Sequence, residues 1–171
     1  MNRPPSHCAA TYADLHRRLD ALLAGETDEI ALMATLACEV HAFSERFNWT
    51  GFYRVVAPGL LKIGPYQGGH GCLTIPFDRG VCGACAREAR TQLVPDVAAV
   101  PHHIACSGTT RSEIVLPVFD SAGQVRAVLD IDSDQPSAFD AVDQRELERI
   151  VTRLLPAYTA GGRFPGGIRV R

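Results

Sequence analysis

The stretch Ser112-Glu-Ile-Val-Leu-Pro-Val-Phe-Asp-Ser-Ala-Gly-Gln-Val-Arg-Ala-Val-Leu-Asp-Ile-Asp-Ser133 decides the fold class. Its apolar and β-branched residues fill two runs, 112–119 and 124–133, which predict two strands. Asp120-Ser-Ala-Gly123 between them has the composition of a turn. In a strand, residues two apart share a face, so Asp130, Asp132 and Asp134 project together while Leu129 and Ile131 face the other way. Glu113, near the start of the neighbouring strand, is placed to join them. Clustered carboxylates repel, which raises the pKa of at least one and can keep it protonated near neutrality. On spacing alone, a solvated strand end fits the same pattern.

Upstream, Trp49 to Val56 is rich in aromatic and β-branched residues, and a Pro58-Gly59 turn leads to a second run from Leu60 to Tyr66. Trp49 and Tyr53 lie four apart and so on one face, either as core aromatics or as the wall of a small pocket. Gln67 to Gly71 reads as a loop, Leu73 to Ile75 and Thr91 to Val94 as short strands, and Pro95 to Thr110 as a long loop. A helix is expected from about Val81 to Arg90. Helices also bracket the strands. Tyr12, Leu15, Leu19, Leu22 and Leu23 recur at helical spacing. A second helix is expected from about Asp28 to Phe47, with Thr27 as N-cap and Ile30, Met33, Ala37, Val40 and Phe47 as its apolar stripe. A last one starts at Asp140, with Asp143 in its first turn and Leu147, Ile150, Val151 and Leu154 on one face. This order predicts an α+β fold, a mainly antiparallel sheet flanked by helices. Residues 1–10 and 158–171 read as tails around a single domain over 11–157.

The bulk properties narrow the function. With 171 residues, 46% hydrophobic and 21% charged, the chain has material for one real core. A net charge of −2 argues against a nucleic-acid groove or an anionic membrane surface as partner. No signal-like segment opens the chain, and no apolar run approaches the roughly 20 residues of a membrane span. These features place the protein in the cytoplasm, where structural disulfides are uncommon. Its six cysteines therefore call for burial, metal ligation or redox chemistry.

Cys72, Cys82 and Cys106 sit beside glycine or in irregular segments, where solvent and other thiols can reach them. Cys82 falls at the start of a predicted helix, whose dipole lowers a thiol's pKa, and Cys106 follows His102 and His103, which also favour thiolate. Cys82-Gly-Ala-Cys85 has the spacing shared by thioredoxin-like proteins and zinc sites, a weak signal alone. It lacks the preceding βαβ strand of the first and the second cysteine pair of the other. Cys85 reads as a core residue one turn into the helix; Cys8 and Cys38 carry no assigned role.

Taken in order, Asn48-Trp-Thr-Gly-Phe-Tyr53, Gly64-Pro-Tyr-Gln-Gly68, Cys72, Arg79-Gly-Val-Cys-Gly83, His103-Ile-Ala-Cys106, Ser112-Glu-Ile-Val-Leu-Pro117 and Val128-Leu-Asp-Ile-Asp-Ser133 resemble the free methionine-(R)-sulfoxide reductases. The likeness spans residues 28 to 155, and the ordered set rather than any one segment carries it. It implies a GAF fold, about six antiparallel strands with helices on one side, in a homodimer. It further implies Cys106 as nucleophile, Cys72 as its disulfide partner and Cys82 as an auxiliary or relay thiol. Glu113, Asp130 and Asp132 match the substrate-binding carboxylates, and Trp49 and Tyr53 the pocket aromatics. The implied reaction uses no metal or organic cofactor and is recycled by thioredoxin. Ser107 stands where an acidic residue often follows the nucleophile, Gly108-Thr-Thr-Arg111 departs from the commoner run, and Cys85 is an extra thiol. A non-catalytic GAF module that senses redox state or a small metabolite is the alternative.

Overall fold

The computed structural model describes residues 11–100 and 108–158. Its elements in chain order are α1 (Tyr12–Leu22), α2 (Glu29–His41), β1 (Trp49–Ala57), β2 (Leu60–Gln67), β3 (Thr74–Pro76), α3 (Gly80–Glu88), β4 (Gln92–Val94), β5 (Ser112–Phe119), β6 (Val125–Ser133) and α4 (Ala141–Val151). Short 3-10 turns cover Val97–Ala99 and Thr152–Tyr158. The strands form one six-stranded sheet in the order β3-β2-β1-β6-β5-β4, and every neighbouring pair is antiparallel.

Period-two alternation sorts the side chains of the central strands onto two faces. Phe52, Ile114, Leu116, Leu129 and Ile131 point to one side, where Leu15 and Leu19 of α1, Met33 and Leu36 of α2, and Leu147 and Ile150 of α4 complete the main core. Trp49, Tyr53, Val115 and Val128 point to the other, under Val81, Cys82, Cys85 and Ala86 of α3. The sheet is thus covered on both faces, and α3 departs from the expectation of helices on one side only. That second layer matters for function, because it buries whatever polar groups the strands send that way.

The element boundaries carry two corrections. The N-cap of α2 is Asp28, not Thr27: its carboxylate accepts from the amide of Ala31 at 2.9 Å. The helix stops at His41, and Phe47 reaches the core from a following turn closed by its own amide on the Ser44 carbonyl at 3.0 Å. Within α2 the buried positions are Leu32, Met33, Leu36, Ala37 and Val40, whereas Ile30 is exposed.

Asp140 caps α4 by accepting from the amides of Val142 and Asp143, and Asp143 reciprocates to the Asp140 amide. Asp143 also accepts two hydrogen bonds from the Arg46 guanidinium, at 2.7 and 2.9 Å, and one from the Tyr12 hydroxyl at 2.7 Å. One buried carboxylate therefore joins α1, the segment before β1, and α4. Among the described residues, no helix is long and apolar enough to cross a membrane.

Candidate active site

Strand register assembles the site from residues far apart in sequence. Glu113 on β5 pairs with Asp132 on β6, which pairs with Trp49 on β1, making one row across the sheet. The next row is Val115, Asp130 and Gly51. Both rows lie on the face covered by α3, so two acids, a tryptophan and a third acid converge at one end of the second layer.

Trp49 stacks between two tyrosines, with ring centroids 5.9 Å from Tyr53 and 5.5 Å from Tyr66, and its indole N–H donates to the Gly69 carbonyl at 3.0 Å. The loop after β2 folds down onto this aromatic wall. A Cβ at Gly71 would lie 2.9 Å from both the Trp49 ring and the Tyr53 hydroxyl, so only glycine lets the loop approach so closely. The Tyr53 hydroxyl in turn hydrogen-bonds the backbone of Cys72. Beside the wall lies a cavity of about 320 Å³, bordered by Asn48, Trp49, His70, Thr110, Asp132 and Asp134. That volume sits at the small end of ligand pockets and suits a single amino acid.

The acids below it are not a solvated strand end. Glu113 and Asp130 are buried and Asp132 is half-buried, with carboxylate oxygens all within 4.8 Å of one another. Glu113 and Asp132 share a hydrogen bond. Burial, then the neighbouring charges of Asp130 and Glu113, push the Asp132 carboxyl well above its usual range. Burial and Glu113 do the same to Asp130. Carboxyl groups this close can share a proton, hold an ammonium group or surround a cation. Asp134 alone keeps the solvated character: it is exposed on the rim and anchored by its amide to Asn48 Oδ1 at 2.8 Å.

The cysteines divide. Cys72 is disulfide-bonded, whereas Cys38, Cys82 and Cys85 are free. Cys106, with His102 and His103, lies outside the described residues, as does Cys8. Cys82 contradicts the expectation of an accessible, acidified thiol. It does occupy the first turn of α3, but it is buried, and its thiol donates to Asp130 Oδ2 at 3.2 Å. Burial and the charges of Asp130 and Glu113 push it up. A helix of nine residues supplies about half a charge at its end, which does not offset desolvation and two carboxylates. Cys85 is a core residue, as its position one turn on implied, and faces the Val115 carbonyl at 3.5 Å. The two cysteines of the C-x-x-C pair therefore have separate partners. Among the described residues, the three acids are the only cluster with metal-ligand spacing.

Residues 26–154 match the GAF domain family. GAF domain-containing protein A of Dictyostelium discoideum is 41% identical over 145 residues, which cover 84% of this chain and 89% of that protein. Free methionine-R-sulfoxide reductase of Escherichia coli is 39% identical over 143 residues, 84% of this chain and 86% of its own. The X-ray structure of free methionine-R-sulfoxide reductase from Neisseria meningitidis in complex with its substrate matches at a TM-score of 0.82 and 38% identity, covering 92% of this chain and 94% of that one. The chain belongs to the free methionine-R-sulfoxide reductase family of GAF domains.

In this GAF domain, Trp49, Tyr53, Glu113, Asp130, Asp132, Cys72 and Cys82 all stand on or over the α3 face of the sheet. Sequence reasoning missed Tyr66, which completes the aromatic stack, and His70 and Thr110 on the cavity border. A signal for Tyr66 was present. It pairs with Gly51, and a Cβ at Gly51 would lie 2.4 Å from both the Trp49 ring and the Tyr66 Cβ. Glycine inside a strand marks a close approach, here the edge of an indole filling the space between β1 and β2.

Proposed function

We propose that this protein reduces free L-methionine (R)-S-oxide to L-methionine, with Cys106 as the nucleophile. The observation that carries the reading is the cavity of about 320 Å³, with Trp49 on one side and Asp132, hydrogen-bonded to Glu113, at its border. It occurs in a chain that resembles free methionine-R-sulfoxide reductases over most of its length.

The Cys106 thiolate attacks the sulfoxide sulfur. The sulfoxide oxygen accepts a proton from the Glu113–Asp132 pair, because it is a poor leaving group until protonated. Asp130 takes the ammonium group of the free amino acid, and Trp49 packs on the S-methyl group, selecting one epimer by shape. Oxygen passes to Cys106, methionine leaves, and the cysteine stands as sulfenic acid. Cys72 condenses with it, releasing water and forming a disulfide, and that Cys72 is disulfide-bonded supports this part. Thioredoxin reduces the disulfide by thiol exchange before the next cycle. We place the protein in the cytoplasm as a homodimer, with residues 11–157 as its single catalytic domain.

Replacing Cys106 with Ser should abolish methionine formation from the free sulfoxide, measured with purified protein and a dithiol. Cys72→Ser should give one methionine per protein and then stall when the reductant can act only through the disulfide. Unchanged turnover in Cys106→Ser rejects the assignment. Tight binding of methionine sulfoxide by the wild type without turnover would favour the sensor alternative.

A further inference from the structure

Beneath the pocket, one buried thiol, that of Cys82, has no part in the reaction above. Cys82 and Asp130 are 5% and 6% exposed, and the Cys82 thiol donates to Asp130 Oδ2 at 3.2 Å. The other oxygen of Asp130, Oδ1, has no hydrogen-bond partner among the described residues. The cross-strand neighbours of Asp130 are Gly51 and Val115, neither of which has a polar side chain to offer it. The donor that this carboxylate has comes from outside the sheet. Cys82, delivered by the first turn of α3, is that donor.

We infer that Cys82 is a positioning residue: its neutral S–H holds Oδ2 of Asp130 and so fixes that buried carboxyl group beside Glu113 and Asp132 in the acidic floor of the site, and it takes no part in disulfide exchange. The inference rests on the reductase reading and replaces the relay role that the resemblance implied for Cys82. Relay chemistry needs a thiolate that can reach another sulfur. Cys82 is enclosed, and the groups facing the pair are acidic or weakly ionising: Glu113 on β5, Asp132 on β6, Tyr53 on β1 and Cys85 on α3. None of them stabilises a thiolate. The S–H bond works the other way, opposing the rise of the Asp130 carboxyl that burial and Glu113 produce.

Alanine removes the donor, whereas serine keeps one in nearly the same place. Cys82→Ala and Cys82→Ser are compared with wild type for kcat and KM toward free methionine sulfoxide across pH, and for methionine formed in a first turnover without added reductant. A thermal melt establishes that each variant is folded. Expected for Cys82→Ala are a KM raised about tenfold, as for loss of a hydrogen bond to a charged group, and an intact first turnover. The acid limb of its kcat/KM profile should also move to higher pH, because the Asp130 carboxyl then holds its proton more firmly. Cys82→Ser should restore both values toward wild type. If Ala and Ser are equally impaired, with KM unchanged and turnover stopping after one methionine, the relay role stands and the inference is overturned. A wild type that makes no methionine is seen before any variant is compared, and it overturns the reductase reading together with the inference.

Discussion

Asp132 shows how a site residue can work against the fold that holds it. Burial and the charges of Asp130 and Glu113 raise its folded pKa above the unfolded value of 3.8. Between those values the folded chain holds a proton that the unfolded chain has lost. Stability is therefore fully present below the unfolded value and falls as pH rises toward the folded one. Asp132→Asn removes the ionisation while keeping the shape. It should raise the neutral-pH Tm by on the order of a few degrees and flatten the decline with pH, while methionine formation is lost. Melts of both proteins across pH, with a parallel turnover assay, check both halves. At this scale, the clustering was legible in two steps: strand periodicity puts Asp130 and Asp132 on one face, and the hairpin between the two predicted strands places Glu113 to join them. The state of Cys82 was not. A helix dipole can be read from local sequence, but burial under the sheet and contact with Asp130 depend on residues 48 positions away.

The elements are joined less by their own propensities than by a few non-local contacts. Asp143 was readable as an acidic residue in the first turn of α4, favourable to the dipole. It also completes the capping box, takes the forked guanidinium of Arg46 and accepts from Tyr12, although it is 2% exposed. Asp143→Ala leaves Arg46 without its buried partner and should cost about 3–5 kcal/mol in chemical unfolding. Because Asp143 lies on the face of the sheet away from the cavity, the KM of folded protein for methionine sulfoxide should stay near wild type. The early end of α2 has the same non-local character. Val40 and Phe47 are seven apart, as in a continuous helix, yet Phe47 is buried through a turn and stacks on Phe139 with ring centroids 5.5 Å apart. Periodicity could not separate the two ways of burying one ring.

For the whole molecule, the α+β class and the antiparallel hairpins followed from turn chemistry and alternating apolar residues, which are local. Strand order did not. β1 pairs with β6 across most of the chain, and only that pairing brings Trp49 beside Asp132. The sequence pattern also left α3 without a side, and its place opposite α1, α2 and α4 turns an acidic strand face into a buried site. The resulting cavity has an aromatic side and an acidic side; in the binding mode proposed above, with the amino-acid end of the ligand also anchored, one hand of the sulfoxide sulfur sends its oxygen to the acids and its methyl group to Trp49. The most direct test is to give purified protein a dithiol and an equal mixture of the two free methionine sulfoxide epimers, and to follow each by chiral chromatography. The account predicts that the R epimer is converted completely to methionine while the S epimer persists; consumption of both at similar rates, or of neither, contradicts it.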